Sequence, residues 1–388
     1  GLNLIDYSKL KNNRYNDYEQ LTADAIMAMA SNIPYLEYAG EGEFGSLEKA
    51  IELWTIAYGG NEPNIVDSGN TKDDELLYAV DENNDIMVLS FRGSANAKDW
   101  EINADFRRSQ VGDQLGEGHN GYINNVNEIL INQKINPKIL SYARKSKDPT
   151  IAITGHSKGG ALSYVASLQL MDRLKKEGIK TNFIIHTFGS PKTFTQSSLD
   201  RWDELTKFHN VYHKRFVRTR DPVPYLPLDL IPKADADKYK HVFGDVYKII
   251  KDQENNDFII IRSQDDERYD LDKNVVKETR DGTIINHSLE WDYIMPLKIA
   301  RLEDPERRKK LFEMREQGRK GIIPKMNIFL EDDLLPAMEN GRYVPDIYST
   351  INSWSFKERD YIYLTRDSWK LIKESYQEDK SKKYEHAW

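Results

Sequence analysis

The stretch IAITGHSKGGALSYVASLQL, from Ile151 to Leu170, decides the fold of this chain. An apolar run leads into the turn Gly155-His156-Ser157-Lys158-Gly159, and small and apolar residues follow the turn. The pattern predicts a short buried strand over 150–154, a sharp turn at the serine and a helix over 161–176. Gly-x-Ser-x-Gly between a strand and a helix is typical of a turn that presents a serine hydroxyl as a nucleophile.

Two other interpretations of this turn stay open at this point. A phosphate-binding loop needs lysine followed by serine or threonine at the start of the helix, whereas here Ser157 precedes Lys158. A purely structural glycine turn is the second alternative. The flanking glycines favour the nucleophile, because side chains two residues either side of the serine would clash in so tight a turn. The helix N-terminus would also place amide N–H groups beside Ser157, where they suit a developing oxyanion.

Strands and helices alternate on both sides of this turn. Helices are predicted over 16–32, 45–60, 119–146 with a break at Pro137, 197–208 and 287–300. Strands are predicted as a hairpin within 74–93, within 182–191, within 210–227 ahead of a proline-rich loop, and as a hairpin of 241–250 with 257–263. This alternation predicts an α/β fold with a mostly parallel central sheet flanked by helices.

Length and composition bound the domain organisation and the partners. We expect one domain over 1–302, with a helical N-terminal segment over 1–70, and a charged, aromatic-dotted extension or subdomain over 303–388. The net charge of -8 argues against a nucleic-acid partner, because binding phosphates needs a basic surface. The absence of cysteine excludes disulfides and thiolate catalysis. The apolar runs are too short for a transmembrane helix. The chain starts at Gly1 rather than methionine, and removal of a signal peptide is one explanation.

A serine nucleophile needs a histidine base and a carboxylate that orients it, and in one large class these follow the serine in the order Asp or Glu, then His. Asp221 lies at the carboxyl end of the predicted strand RFVRT, where sites form in open α/β sheets. The prolines of DPVPYLP would fix its loop. Capping a turn before Pro222 is the alternative role for Asp221. We therefore expect Asp221 to be the acid.

The histidine is chosen among those that follow the serine. His209 and His213 precede Asp221 in the chain, His186 lies in a strand, and His386 lies in the C-terminal extension. The two that remain are His241, which opens a strand, and His287, which follows the loop DGTIIN. His287 is preferred over His241 because a loop can present it to the serine.

Seven blocks in order resemble the class 3 lipase family, the fungal-lipase-like branch of the α/β hydrolases. They are VLSFRGSANAKDWEINADF (88–106), GHNGYINNV (118–126), ITGHSKGGALS (153–163), HTFGSPKTF (186–194), RTRDPVPYLP (218–227), YKHVFGDVY (239–247) and NHSLEWDYI (286–294). The last block matches the family's His-x-x-x-x-x-Tyr region. The resemblance implies an α/β-hydrolase fold over a lipase-like domain and a carboxylic ester hydrolase that needs no metal or cofactor.

The resemblance also implies roles for single residues. Ser157 matches the nucleophile, Asp221 the acid and His287 the base, while the backbone N–H groups of Ser94 and Lys158 match the oxyanion hole. The stretch 95–106, with Trp100, Ile102 and Phe106, lies where the family has a lid, although core packing explains Trp100 equally well. Tyr225 replaces an arginine common in the loop of the acid.

The expected substrate is a lipid ester, cut by a phospholipase A or an acylglycerol lipase, with a membrane surface as one setting. An esterase for small soluble esters, a secreted lipase toxin effector and a non-catalytic binding protein on the same fold are the alternatives. Lys158 replaces the usual leucine, as in some bacterial relatives. A secreted or cell-surface bacterial protein is therefore favoured, and the cytoplasm stays open. Because a buried ammonium is costly, we expect the Lys158 side chain to meet a carboxylate or backbone carbonyls, or to reach solvent.

Overall fold

A computed structural model describes residues 15, 18–38, 64–67, 75–81, 86–94, 107–132, 134–227, 238–252, 255–263, 286–320 and 322. The chain divides into two compact units. We call residues 27–215 and 222–244 the larger unit, and residues 1–26, 216–221 and 245–388 the smaller unit. Each unit is described by itself below.

The larger unit contains the parallel strands that the sequence predicts. Its strands are β1 (Asn64–Asp67), β2 (Glu75–Asp81), β3 (Ile86–Phe91), β4 (Arg108–Gln110), β5 (Glu117–His119), β6 (Thr150–His156), β7 (Asn182–Phe188) and β8 (Asn210–Arg218), whose last three residues belong to the smaller unit. The sheet order is β1-β2-β3-β6-β7-β8, and β4 pairs with β5 apart from it. β3, β6 and β7 are parallel neighbours, while β1, β2 and β3 form an antiparallel meander.

The parallel centre of this sheet is buried at every position, which explains its sequence. β3, β6 and β7 read as nearly continuous apolar runs because helices cover both faces of such a sheet. Leu89, Ile153 and Ile185 lie side by side in register across the three strands. The carboxyl end of β6 therefore carries Ser157 out of a rigid, fully packed layer.

The helices of the described chain begin with α1 (Tyr18–Tyr38), α2 (Asn120–Asn127), α3 (Ile135–Lys145), α4 (Lys158–Lys176) and α5 (Gln196–Thr206). The break predicted at Pro137 lies earlier: a π-helical turn, Glu128–Asn132, ends α2, and Lys134 has a left-handed φ of 57°. Pro137 falls in the first turn of α3, where a missing N–H breaks no helical hydrogen bond. The helix predicted over 45–60 lies outside the described residues.

The smaller unit contains a hairpin and two helices near the C-terminal side. β9 (Asp245–Asp252) and β10 (Asp257–Ser263) pair antiparallel, which confirms the predicted hairpin. The carbonyl oxygen of Ile249 in β9 accepts a hydrogen bond from the N–H of Thr219, just after β8. A π-helical turn, Leu289–Ile294, leads into α6 (Met295–Ala300), and α7 (Pro305–Arg319) follows.

The sequence did not place α7, although its start signals are present. The Asp304 side chain caps the helix by accepting from the Glu306 N–H at 3.0 Å, and Pro305 occupies the first turn. Most residues of α7 are charged, so its sequence shows little of the apolar periodicity that predicts a helix. The buried face is narrow and includes Leu311, Phe312 and Gly318. The boundary at 302/303 stays a prediction. No helix in the described part of the chain is long and apolar enough to span a membrane.

Candidate active site

Ser157 occupies a strained turn between β6 and α4, as the sequence predicts. Its backbone has φ 61° and ψ -131°, a conformation that side chains rarely adopt, and the residue is 2 % exposed. Its N–H donates to the carbonyl oxygen of Phe188 at the end of β7, at 2.9 Å. A Cβ added at Gly155 would lie 2.2 Å from the carbonyl oxygen of Gly159. Gly155 is therefore required by the close approach of the turn to itself.

The loop after β3 lies against this turn, which is where an oxyanion hole needs it. A Cβ at Gly159 would lie 2.2 Å from the carbonyl oxygen of Phe91 and 3.0 Å from the backbone nitrogen of Gly93. A Cβ at Gly93 would lie 3.2 Å from the Cβ of Ser157. The backbone that leads into Ser94 is therefore packed directly on the turn. Lys158 is the first residue of α4, so its N–H is one of the amides that a helix leaves without an intrahelical acceptor.

The side chain of Lys158 does not reach solvent. The residue is 2 % exposed, so of the three expected arrangements the one in which the side chain reaches solvent is wrong. A leucine at this position would be buried at no electrostatic cost, whereas an ammonium must be compensated there.

Tyr35 lies beside His156, the residue that precedes Ser157, and sequence reasoning assigned it no role. Its hydroxyl lies 3.1 Å from Nδ1 of His156. A Cβ at Gly93 would lie 2.2 Å from the same hydroxyl, which places Tyr35 at the loop that leads into Ser94. Nothing in the helical pattern of α1 distinguishes this tyrosine from its neighbours, so no sequence signal was available.

Asp221 and His287 form a buried pair in the smaller unit. Nδ1 of His287 donates to Oδ2 of Asp221 at 2.7 Å. His287 is 8 % exposed and Asp221 is 0 % exposed. Asp221 follows β8 in a tight turn, with its N–H bonded to the carbonyl oxygen of Arg218 and with Arg220 at φ 68°. A carboxylate on Nδ1 makes Nε2 the ring nitrogen that faces away from the acid. The structure therefore brings together the acid and base that the sequence predicts.

Tyr293 completes this pair. Its hydroxyl donates to Oδ2 of Asp221 and accepts from the N–H of Arg218 at 3.3 Å. Burial, reinforced by the negative charge of Asp221, raises the pKa of Tyr293 well above its ordinary value. The phenol therefore stays protonated and keeps donating to the carboxylate. Tyr293 is the tyrosine of the His-x-x-x-x-x-Tyr pattern, so the sequence contained the residue but not its role.

The four alternative histidines that the structure describes lie in other contacts or are buried. Nε2 of His241, the alternative base, lies 2.6 Å from the carbonyl oxygen of Pro224 and so holds the proline-rich loop. His209 bridges the N–H of Thr181 and the carbonyl oxygen of Met171. Burial lowers the pKa of His186 well below its ordinary value and that of His213 to about 3.

The remaining predicted site residues are Tyr225, which the structure describes, and three residues that it does not describe. Tyr225 ends the short 3₁₀ turn Val223–Tyr225, where its N–H bonds to the carbonyl oxygen of Pro222, and its substrate role stays a prediction. Trp100, Ile102 and Phe106 lie outside the described residues, and so does the predicted lid. Within the described residues, no cluster of three or more His, Asp or Glu side chains is arranged to hold a metal ion.

Comparison with known proteins finds similarity to lipases. The family model for lipase (class 3) matches residues 88–230. Secreted mono- and diacylglycerol lipase 1 of Fusarium solani is 31 % identical over 152 residues, which are 38 % of this chain and 41 % of that protein. Secreted mono- and diacylglycerol lipase A of Penicillium cyclopium is 25 % identical over 215 residues, 55 % of this chain and 60 % of that protein. A crystallographic model of the triacylglyceride lipase of Rhizomucor miehei aligns with a TM-score of 0.49 at 20 % identity, covering 66 % of this chain and 88 % of that one.

The strand–turn–helix at Ser157 and the parallel strands behind it define an α/β hydrolase, which confirms the predicted fold. The segment 88–230 is similar to the class 3 lipase family. The chain spans only 41 % and 60 % of the length of the two curated relatives named above. Both relatives are fungal, and the expected bacterial source stays a prediction.

Proposed function

We propose that this protein is a serine hydrolase that cleaves the carboxylic esters of lipids. The observation that carries the proposal is the backbone of Ser157, held at φ 61° between a buried parallel strand and the N-terminus of α4. Such strain persists only where the surrounding structure imposes it, and it is concentrated at functional sites. The buried pair of Asp221 and His287 supports the proposal, because it supplies an oriented base of the kind a serine nucleophile needs.

The proposed reaction has two acyl-transfer steps. His287 Nε2 takes the proton of Ser157 Oγ as the oxygen attacks the ester carbonyl, and the backbone N–H groups of Ser94 and Lys158 stabilise the oxyanion. The tetrahedral intermediate collapses when His287 gives the proton to the departing alcohol. Water then attacks the acyl-enzyme by the same route and releases the fatty acid. Asp221 holds His287 in the tautomer with hydrogen on Nδ1, and Tyr293 fixes that carboxylate.

The proposed substrate is an ester of a glycerolipid. Two of the relatives are named mono- and diacylglycerol lipases, and this favours acylglycerols over phospholipids as the substrate to test first. The finer choices, the acyl position and action at a membrane surface, are part of the proposal. Hydrolysis of small soluble esters alone, or binding without turnover, is the competing outcome.

Labelling with a fluorophosphonate probe tests the nucleophile. We expect the folded wild type to be labelled at one residue, Ser157, and Ser157→Ala to lose both labelling and esterase activity. Ser167→Ala is a matched control, because Ser167 is also a buried serine of α4 and its hydroxyl bonds to the carbonyl oxygen of Ser163. Absence of labelling in the folded wild type, or labelling that survives Ser157→Ala, would contradict the proposal.

Mass spectrometry of products from a mixed lipid panel tests the substrate. The panel contains mono-, di- and triacylglycerols, a phosphatidylcholine and a soluble p-nitrophenyl ester, with Ser157→Ala as the blank. Release of fatty acid from the acylglycerols is the expected result. Hydrolysis of only the soluble ester would replace the lipid substrate with a small ester, and fatty acid released equally by Ser157→Ala would rule out this chain as its source.

A further inference from the structure

The two chain neighbours of His287 are both tied to helix α7. Asn286, which precedes the histidine, has a left-handed φ of 63°, and its Oδ1 accepts from Arg319 at 3.3 Å. Ser288, which follows the histidine, donates its backbone N–H to Oδ2 of Asp292 at 3.0 Å. The other oxygen of Asp292 accepts from NH2 of Arg315 at 2.7 Å. The side chain of Asn286 is therefore bonded directly to an arginine of α7, and the backbone N–H of Ser288 is linked to another through the carboxylate of Asp292.

Arg315 is the centre of this arrangement. It is fully buried, and its guanidinium lies 4.8 Å from the centre of the Phe258 ring. Besides Asp292, its Nε donates to the carbonyl oxygen of Trp291 at 2.7 Å. The two bonds of one planar guanidinium hold a side chain and a backbone carbonyl of the turn after His287 in a fixed relation. Arg315 also bonds to the carboxylate of Glu316, and Nη1 of Arg319 lies 3.7 Å from Oδ1 of Asp292. Loss of Arg315 would therefore remove the nearer of the two cations that compensate the buried carboxylate of Asp292.

The close approach of α7 to this turn is built into the sequence. A Cβ at Gly318 would lie 2.3–2.6 Å from three atoms of the Trp291 ring, so glycine is the residue that lets the helix come this near. Gly318 lies between Arg315 and Arg319, the two residues that bond to the turn. Helix α7 therefore has its glycine where it contacts the turn that carries the histidine.

We propose that α7 positions the catalytic base, and that Arg315 and Arg319 are positioning residues for His287. This inference rests on the proposed function. His287 must keep its bond to Asp221 and present Nε2 in one orientation, and an error of ~1 Å in such a group costs about 100-fold in rate. Helix α7 lies outside the matched family segment 88–230, so this support is a property of the present chain beyond that segment.

The test compares two arginines of α7. Arg315→Met removes the contacts to Asp292 and Trp291. Arg308→Met is the matched control, since Arg308 also binds a carboxylate, that of Asp257, and a backbone carbonyl, that of Leu302, but has no hydrogen bond to the turn after His287. We expect both variants to be less stable to urea, whereas Arg315→Met alone lowers kcat on a soluble p-nitrophenyl ester, by about 10- to 100-fold with little change in KM. Equal losses of kcat in both variants, or an unchanged kcat in folded Arg315→Met, would overturn the inference.

Two milder variants keep the inference testable where Arg315→Met does not fold. Arg315→Lys keeps a positive charge next to the carboxylate of Asp292, but it lacks the planar guanidinium that also bonds to the carbonyl oxygen of Trp291. It is therefore expected to lower kcat less than Arg315→Met does. Arg319→Met removes the bond to Asn286 at a partly exposed site and is expected to lower kcat by about threefold. Wild-type kcat in both variants would count against positioning by α7.

A second readout does not depend on turnover. In ¹⁵N-histidine-labelled protein, the proton between His287 Nδ1 and Asp221 gives a low-field resonance whose position depends on the geometry of that bond. We expect it to be the same in the wild type and Arg308→Met, and to be shifted or lost in Arg315→Met. An unchanged resonance in Arg315→Met would overturn the inference. If the wild type hydrolyses no ester, the proposed function fails, and this resonance alone decides whether α7 positions His287.

Discussion

Gly159→Ala tests whether the packing of the β3 loop on the nucleophile turn sets the rate. The new Cβ would lie 2.2 Å from the carbonyl oxygen of Phe91, whereas ordinary contact begins at 3.4 Å. Both partners are backbone in buried elements, so no flexible side chain can give way. The loop that leads through Arg92 and Gly93 to Ser94 must therefore move away from Ser157 by about 1 Å.

The expected loss of activity follows from that displacement. A shift of ~1 Å in a catalytic group costs about 100-fold, and removing one oxyanion donor costs about 100- to 1000-fold in kcat. The proposed oxyanion donor that moves is the Ser94 N–H, while the proposed acid and base, Asp221 and His287, are not substituted. We therefore expect Gly159→Ala to lower kcat about 100-fold. KM should change little, because the donor stabilises charge that develops only in the transition state.

The assay measures kcat and KM on a soluble p-nitrophenyl ester, together with urea unfolding. Gly178→Ala is the control, since Gly178 lies just beyond the other end of α4, at φ +71° with nothing within 4 Å of the added Cβ. Its substitution strains the backbone by about 1–2 kcal/mol without displacing the turn. The control should therefore lose stability and keep its kcat.

Two results would refute this reasoning. Wild-type kcat in a folded Gly159→Ala variant would show that the loop of Ser94 contributes nothing that depends on its distance from Ser157. A loss of kcat in Gly178→Ala equal to that in Gly159→Ala would show that general destabilisation, rather than displacement of an oxyanion donor, lowers the rate.

The other predictions concern three buried groups. Tyr293→Phe removes a hydrogen bond to Asp221, so the free energy of unfolding in urea should fall by about 1.5–3 kcal/mol, and kcat should fall as well. If both values are unchanged, the role given to the hydroxyl is contradicted. Burial lowers the pKa of His186 below its ordinary 6.5, so the unfolded chain binds a proton at a higher pH than the folded chain does. The free energy of unfolding should therefore decrease as the pH is lowered below about 6.5, by up to about 1.4 kcal/mol per pH unit. His186→Gln should reduce that slope in urea unfolding, and an equal slope would contradict it. Lys158→Leu should keep most esterase activity, and a loss beyond about 100-fold in a folded variant would mean that the lysine side chain takes part.

The nucleophile turn could be predicted from the sequence because local rules build it. Two glycines, a serine and the apolar run before them are enough to recognise the turn that holds Ser157. Asp221 was predictable for a similar reason, since it lies three residues after the end of strand β8 and precedes a proline. Short-range patterns also gave the two hairpins, whose strands pair antiparallel as expected.

Tyr293 and Tyr35 could not be predicted, because their roles depend on contacts distant in the chain. Tyr293 reaches Asp221 across 72 residues, and Tyr35 reaches His156 across 121. The π-helical turn Leu289–Ile294 adds to the difficulty, since a regular helical period does not describe which side chains of that turn share a face. The break placed at Pro137 failed for a different reason: a proline in the first turn of a helix does not interrupt it.

The base differs from the nucleophile in how its position is specified. The matched family segment, 88–230, contains Ser157 and Asp221 and ends before His287. The residues that recognise the Ser157 turn in the sequence lie within two positions of it, whereas the turn of His287 bonds to Arg315 and Arg319, across 23 and 33 residues. A substitution in Gly155–Gly159 is visible in the motif, but a substitution in α7 leaves every recognisable block intact. A close match to the family blocks is therefore good grounds for expecting a nucleophile and weaker grounds for expecting an oriented base.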